Sequence, residues 1–188
     1  MELIYKNPLI YMIAGKAQHG KTTTSKIIIE EYKKRGKKVA RLYHAKYIKD
    51  YAMDYFDWDG REKTKPRELL LNIGTELIRK KLGKEYFFIN RITEDIEILS
   101  YFFDIIVIDD ARLKIEIEAQ RKNFEKTITI NIKRKNFDNK LTEEQKNHLT
   151  EIDLDDYEQF DYIIINDAGI EDLREKISKI IKENEDVE

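Results

Sequence analysis

The 188-residue chain lacks cysteine altogether and has little proline or glycine, with two and seven residues respectively. A chain without cysteine has no disulfide framework, no thiolate metal site and no catalytic thiol. An excess of either charge is also missing, since 35 Lys and Arg oppose 37 Asp and Glu. This balance argues against a general nucleic-acid binder, because such proteins carry a marked basic excess.

Long apolar segments are absent as well. Even runs such as Ile105–Ile108 are far below the length that crosses a bilayer. The N-terminus has no basic segment followed by an apolar run and a small-residue cleavage site, so a secretory signal is not expected. We therefore expect a soluble, cytoplasmic protein in which residues 1–188 form a single domain.

Short apolar runs alternate with segments of helical spacing along most of the chain. The runs that predict strands are 9–13, 39–43, 104–109, 127–132 and 162–166. The segments that predict helices are 21–35, 48–56, 67–82, 89–101, 115–124 and 170–181. This alternation predicts an α/β fold with a parallel sheet flanked by helices on both faces. The polar stretch 136–156 is too long for an ordinary connection, so it is either a lid or a disordered insert.

Residues 15–22, GKAQHGKT, fit the P-loop pattern G-x-x-x-x-G-K-[ST] at every fixed position. Glycines let the backbone curl so that its N–H groups point at phosphate oxygens, and the helix that follows adds its positive end. In this pattern Lys21 reaches the β- and γ-phosphates, and the Thr22 hydroxyl can ligate Mg²⁺. His19 occupies a variable position, and we expect no acid–base role for it. The candidate ATP-binding residues are Gly15, Lys16, Ala17, Gln18, His19, Gly20, Lys21, Thr22 and Thr23.

An apolar strand ends in two carboxylates, Asp109 and Asp110. In a P-loop fold a carboxylate at this strand end faces the metal that the P-loop hydroxyl holds. The end of the apolar run favours Asp109, so the choice between the two stays open at this point. Arg112 follows closely and is a candidate catalytic residue, because a guanidinium there can neutralise charge on the phosphoryl group in transfer.

Three classes of P-loop protein compete for this pattern. A switch GTPase needs an [NT]-K-x-D motif, which the chain lacks, and the D-x-x-G match at 57–60 follows a predicted helix instead of a strand. A motor ATPase is longer and carries sensor elements. A small-molecule kinase needs an arginine-rich acceptor site and a mobile lid, and this chain offers both. The arginines concerned are Arg67, Arg79, Arg91 and Arg112.

Four segments resemble the bacteriophage-type deoxynucleoside monophosphate kinases. Residues 67–79, RELLLNIGTELIR, resemble the family signature R…LLQ-x-x-G-T-[DE]-x-x-R, and residues 110–116, DARLKIE, resemble D-V-R-F-x-N-E. Residues 148–151, HLTE, resemble H-x-S-E, and residues 161–166 resemble D-x-x-I-x-N. The resemblance implies an adenylate-kinase-like P-loop fold that transfers the γ-phosphate of ATP to a nucleoside monophosphate with Mg²⁺. Asn72 stands where the family has Gln, which leaves base selectivity open.

The same resemblance implies roles for individual residues. It selects Asp110 for the metal, makes Arg134, at the start of a lid over about 135–156, catalytic, and gives His148 to ATP or to lid closure. The acceptor-binding region spans about 45–100. Its candidate residues are Lys49, Arg67, Asn72, Thr75 and Arg79, with a solvated surface charge as the alternative for Lys49 and for Arg67.

The expected partner is a nucleoside or deoxynucleoside monophosphate, without nucleic acid or membrane, and the chain is expected to act as a monomer or homodimer. Two other functions stay open. One is a P-loop regulatory module that binds ATP without an acceptor, and the other is a kinase for another small metabolite.

Overall fold

The computed structural model describes residues 2–135 and 137–185. Its strands are β1 Leu9–Ala14, β2 Val39–Leu42, β3 Ile105–Ala111, β4 Thr127–Lys133 and β5 Tyr162–Ile165. They form one parallel sheet in the order β2-β3-β1-β4-β5. The predicted parallel α/β sheet is confirmed, and all five predicted strands are present.

Helices connect and cover these strands. They are α1 Lys21–Lys34, α2 Lys46–Tyr55, α3 Arg67–Leu71, α4 Phe87–Leu99, α5 Lys114–Asn123, α6 Glu143–Lys146, α7 Leu149–Ile152 and α8 Ile170–Glu185. The helix predicted over 67–82 is not regular, because α3 passes directly into a π-helix at Asn72–Lys81. None of the helices in the two described ranges combines the length and the apolar character that crossing a bilayer requires.

The polar stretch 136–156 contains the short helices α6 and α7 in its described part; Asn136 lies outside the described residues. Both helices begin with a side-chain cap. The Thr142 hydroxyl accepts a hydrogen bond from the backbone of Gln145, and His148 accepts one from the backbone of Thr150. Capping of this kind stabilises short helices that have no apolar period, which is why periodicity did not reveal them.

Two apolar cores lie on the two faces of the sheet. Tyr11 and Ile13 of β1 pack with residues of α1 and α8, whereas Ile10 and Met12 pack with residues of α4 and α5. All four side chains are completely buried. A strand that is covered on both faces has no polar side, which explains the continuous apolar run in the sequence.

A third, smaller core supports the region that is predicted to bind the acceptor. Ile73 and Ile78 of the π-helix pack with Phe88 of α4. The π-helix also approaches α2 closely at Gly74, where a Cβ atom would lie 2.7 Å from Cδ1 of Ile48. Glycine is therefore the residue that lets these two segments meet.

The carboxyl ends of the parallel strands meet at one edge of the sheet. The connection after β1 leads to β2 at one edge of the sheet, whereas the connection after β3 leads in the opposite direction, to β4. The switch point therefore lies between the neighbouring strands β1 and β3. Ligands of open α/β sheets bind at such a point. The P-loop follows β1 there, and the two carboxylates close β3.

Candidate active site

The P-loop is held against the ends of β4 and β5. Gly15 and Gly20 have φ angles of 143° and 109°, which side chains rarely tolerate. A Cβ atom at Gly15 would lie 2.4 Å from the carbonyl oxygen of Ile132, and one at Gly20 would lie 2.5 Å from Nδ2 of Asn166. The Asn166 amide also donates to the carbonyl oxygen of His19 at 2.9 Å. Both glycines of the motif are therefore required by the fit of the loop.

Lys21 folds back onto the loop that precedes it. Its Nζ donates to the carbonyl oxygens of Gly15 at 2.7 Å and Lys16 at 2.9 Å. Burial, and then the nearby Arg112, lower the pKa of Lys21 to about 7, against the opposite pull of Glu151. The amine is thus shielded from water at the place where a phosphate would be bound.

Two carboxylates of the lid contact the P-loop. Glu151 accepts a hydrogen bond from the backbone N–H of Ala17 at 3.0 Å through one oxygen, and pairs with the Arg112 guanidinium through the other. Asp155 accepts one from Nζ of Lys16 at 2.8 Å. Backbone N–H groups of a P-loop are anion sites, so Glu151 takes a contact that suits a phosphate oxygen.

A cavity of about 730 Å³ opens between the P-loop, the end of β4 and the lid. Such a volume is in the range of small-molecule sites. The Arg134 guanidinium lies 4.1 Å from the ring centre of Phe137, and the His19 ring meets the edge of that phenyl ring at 6.1 Å. Burial lowers the pKa of His19. Arg134 and His19 therefore face the same cavity, as a nucleotide site at this position needs.

The two carboxylates at the end of β3 point in opposite directions, as neighbouring residues of a strand do. Asp109 faces α1, where its Oδ2 accepts from Oγ of Ser25 at 3.0 Å and from Nη2 of Arg41 at 2.6 Å. Asp110 faces the start of α2. Asp109 is thus on the side of α1, which also carries Thr22.

Asp110 fastens the connection between β2 and α2. It accepts from the backbone N–H of His44 at 2.7 Å and of Ala45 at 2.9 Å, and His44 Nδ1 adds a contact at 3.1 Å. Burial alone would raise the pKa of Asp110, but these contacts hold it at about 2. Both of its oxygens are engaged, so the residue that the resemblance selects for the metal already supports α2.

Thr22 and Asp109 are oxygen donors of the kind that Mg²⁺ prefers. No group of three or more His, Asp or Glu suited to a metal exists within residues 2–135 and 137–185. Kinases hold Mg²⁺ through one or two protein oxygens together with substrate phosphates and water. The choice between Asp109 and Asp110 remains a prediction.

Arg79 and Thr75 lie on the π-helix, on its half-buried side. Nη2 of Arg79 donates to Oε1 of Glu116 at 3.3 Å, and the guanidinium lies 5.2 Å from the ring centre of Phe88. Thr75 is 6% exposed. Oε2 of Glu116 accepts from the backbone of Arg112 at 2.8 Å, so the two arginines share one carboxylate as a neighbour.

The other acceptor candidates are less closely gathered. Lys49 is half-buried with its amine 4.8 Å from the Tyr43 ring centre, and burial and the nearby Lys65 lower its pKa. Arg67 pairs with Glu62 at 3.2 Å on the surface, and Asn72 is exposed. In the described chain no hydrogen bond joins Arg67 or Asn72 to Arg79.

The remaining ATP candidates contact the lid or α1. Nε2 of Gln18 donates to the carbonyl oxygen of Asn139 at 3.1 Å, while Thr23 is half-buried in the first turn of α1. His148 caps α7 near Lys80, where burial and that lysine lower its pKa. It does not line the cavity, within the residues that the structure describes.

Several residues of the site were not predicted. Glu116 and Glu151 lie inside the segments DARLKIE and HLTE, and the sequence pattern alone indicates no role for either. Asp155 lies in the lid without any periodic pattern. His44 follows β2 directly, and the rule that ligands gather at the carboxyl ends of parallel strands could have identified it.

Comparisons with known proteins identify a family and a fold. A family model described as deoxynucleotide monophosphate kinase matches residues 35–177. No curated protein sequence is significantly similar to the chain.

Solved structures show the same fold at low identity. An APS kinase of Mycobacterium tuberculosis in complex with AMPPNP and APS is 10% identical with a TM-score of 0.56, and the match covers 93% of this chain and 98% of that one. A dephospho-CoA kinase from Campylobacter jejuni is 18% identical with a TM-score of 0.54, over 95% and 98% of the two chains. A shikimate kinase from Acinetobacter baumannii in complex with shikimate is 13% identical with a TM-score of 0.54, over 96% and 97%. The chain therefore has the fold of P-loop kinases.

Proposed function

The chain belongs to the deoxynucleotide monophosphate kinase family, and from that membership we propose that it transfers the γ-phosphoryl group of ATP to a nucleoside or deoxynucleoside monophosphate. One observation carries the proposal. A continuous line of contacts leads from the P-loop to the π-helix. It runs through Glu151, the guanidinium and then the backbone N–H of Arg112, Glu116 and Arg79. A phosphoryl group that passes between two phosphates needs cations along this line.

ATP binds at the P-loop in this proposal. The loop N–H groups and Lys21 bind the β- and γ-phosphates, and the phosphates replace Glu151 at the N–H of Ala17. Lys21 then leaves the carbonyl oxygens of the loop for the phosphate. Arg134 and Phe137 close the cavity over the nucleotide, and His148 holds the lid helix α7 in place through its cap.

The acceptor phosphate binds at Arg79 and Thr75, with Lys49 at the mouth of the site. A guanidinium grips two phosphate oxygens at once, which fixes the direction of attack. An oxygen of the monophosphate attacks Pγ, and the bond from Pγ to the bridging oxygen of ADP breaks. The attacking oxygen carries no proton once the monophosphate is doubly ionised, so the reaction requires no general base.

Arg112 lies between the two phosphate sites and stabilises the charge that develops on the moving group. Its position is fixed by Glu116 at the backbone and by Glu151 at the guanidinium. When Glu151 gives way to ATP, the guanidinium is released for the phosphoryl group. Thr22 and one of Asp109 and Asp110 would hold Mg²⁺, which neutralises phosphate charge when bound.

The test is an ADP-release assay with ATP and a panel of the common nucleoside and deoxynucleoside monophosphates. We expect turnover with at least one monophosphate, and the panel identifies the base and the sugar. ATP binding without turnover on any acceptor would support a regulatory module instead. Turnover on a phosphorylated alcohol alone would support a kinase for another metabolite.

A further inference from the structure

Glu116 is a buried carboxylate on the first turn of α5, with 2% of its surface exposed. One oxygen accepts from the backbone N–H groups of Arg112 and Leu113, at 2.8 Å and 3.1 Å, and so caps α5. The other oxygen pairs with Arg79 across the site at 3.3 Å. A helix cap needs only the first of these contacts, so the second calls for its own explanation.

Burying the pair is costly. Both side chains leave water, and replacing such a pair with apolar residues is often neutral or stabilising. The cap itself could be made by an uncharged side chain such as Gln. Stability therefore does not account for a full charge at this position, and the charge acts on Arg79.

Two buried nitrogen atoms beside Glu116 have free hydrogen-bonding capacity. Within residues 2–135 and 137–185, neither Nε of Arg79 nor Nε2 of His44 has a hydrogen-bond partner. His44 is 4% exposed, and Glu116 and Arg79 are both among the charges that act on its imidazole. Buried polar atoms normally find partners, so two nitrogen atoms without one near the same carboxylate indicate a place that a ligand completes.

We propose that Glu116 is a positioning residue of the acceptor site, which holds Arg79 through Nη2 so that the Nε edge stays free to bind the phosphate of the monophosphate. This inference rests on the proposed function and assigns Glu116 a role within it. Glu116 also fixes the backbone of Arg112, so one side chain sets the separation of the two arginines that flank the transferred group.

The test compares Glu116→Gln with Glu118→Gln, an exposed position on the same helix. The Gln side-chain oxygen still accepts from the backbone and keeps the cap. The negative charge that Glu116 places beside Arg79 is lost. We expect Glu116→Gln to raise both the Kd of the monophosphate, measured by calorimetry without ATP, and its KM by about tenfold or more. The KM for ATP should stay near that of the wild type, whereas the melting temperature should fall because the largely buried Arg79 loses its charged partner. Glu118→Gln should change none of these values.

A double-mutant cycle separates positioning from a structural role. If Glu116 acts through Arg79, Glu116→Gln in an Arg79→Lys background should have little further effect on the KM of the monophosphate. Full additivity of the two changes would overturn the inference. A lowered melting temperature with an unchanged KM would do so as well.

Two further outcomes keep the test decisive. Should Glu116→Gln fail to fold, Glu116→Asp retains the charge with a shorter reach, and the same rise in KM is expected. If the wild type phosphorylates no monophosphate, the proposed function fails; if it does and Glu116→Gln behaves like Glu118→Gln, only the role of Glu116 fails.

Discussion

The two ends of the site are completed in different ways. At the donor end the protein supplies its own anions, because Glu151 contacts Ala17 and Arg112 while Asp155 contacts Lys16. At the acceptor end Glu116 contacts the Arg79 guanidinium, and in the part of the chain that the structure describes the buried Nε of Arg79 and Nε2 of His44 have no hydrogen-bond partner. The donor end must therefore exchange an internal contact for a ligand, whereas the acceptor end only has to receive one.

This difference separates two sources of affinity. Binding at the donor end is reduced by the free energy needed to displace the lid carboxylates, and an acceptor end that is already arranged binds without that cost. Changes at the two ends should therefore have opposite signs: removing a lid anion strengthens binding of ATP, and removing the support of Arg79 weakens binding of the monophosphate.

The largest effect is expected at Lys21. Lys21→Met removes the charge that follows the γ-phosphoryl group and should lower kcat by about 1000-fold or more. The melting temperature should hold or rise, because a buried amine is replaced by an apolar side chain. Turnover and thermal melting are measured on the same preparation.

The matched control for Lys21 is Lys26→Met, which lies on the same helix and is exposed. It should leave turnover unchanged. Near-normal turnover in a folded Lys21→Met protein would contradict the role of the P-loop and with it the comparison of the two ends.

The next effect concerns the acceptor end. Arg79→Lys keeps a charge but loses the two-oxygen grip on the phosphate, so we expect the KM of the monophosphate to rise and kcat to fall. The loss is about 2–4 kcal/mol, or roughly 30- to 1000-fold in kcat/KM, with little change for ATP. Steady-state kinetics with each substrate varied in turn measure it, with the exposed Arg61→Lys as control. A loss of ATP affinity instead would place Arg79 at the donor end.

A smaller effect of opposite sign is expected in the lid. Glu151→Gln removes the charge that competes with phosphate at Ala17 and releases Arg112, so the Kd of ATP should fall by about three- to tenfold. Titration calorimetry with a non-hydrolysable ATP analogue measures it. Glu143→Gln, on the exposed helix α6, should have no effect. A weaker ATP affinity in Glu151→Gln would show that the carboxylate assists binding.

The smallest effect is the uptake of protons when ATP binds. Because the pKa of Lys21 is lowered to about 7, the amine is largely neutral in the free protein at about pH 8, and bound phosphate raises its pKa again. ATP binding should therefore take up a fraction of one proton at about pH 8 and almost none through Lys21 at about pH 6, where the amine is already charged. Calorimetry in two buffers of different ionisation enthalpy measures the uptake. Lys21→Met should abolish it, and an equal uptake in that variant would assign the proton to another group.

The fold was predictable because it rests on local patterns. Each strand is an apolar run between polar segments, and the fixed positions of the P-loop motif identify both the turn after β1 and the helix α1. Gly36, which closes α1 with a φ of 74°, could be assigned from its place after Lys33 and Lys34. The π-helix was not predictable, because α- and π-winding accept the same residue types. Which of the two forms depends on how the segment packs against the rest of the protein.

The site was predictable in part. The motifs place Lys21 in the P-loop, Arg112 directly after β3, and Arg79 and Thr75 on one helical segment, and the structure has them there. Their roles in phosphoryl transfer stay predictions. The pairing of Glu151 with the P-loop joins residues far apart in sequence, and no spacing reveals such a contact. The two acids of β3 were ambiguous because only the direction of each side chain from the strand separates Asp109, toward α1, from Asp110, toward α2.

The π-helix at Asn72–Lys81 has a consequence for how this chain tolerates insertion and deletion. Its backbone repeats at i→i+5 instead of i→i+4, so it holds more residues in each turn than an α-helix does. Insertion of one further residue between Thr75 and Arg79 could not be absorbed by a change from α- to π-winding, which this segment already has, so it would turn the guanidinium around the helix axis, away from Glu116. A length change that most surface helices absorb would here remove a functional group from its site, so the segment is constrained in length as well as in composition.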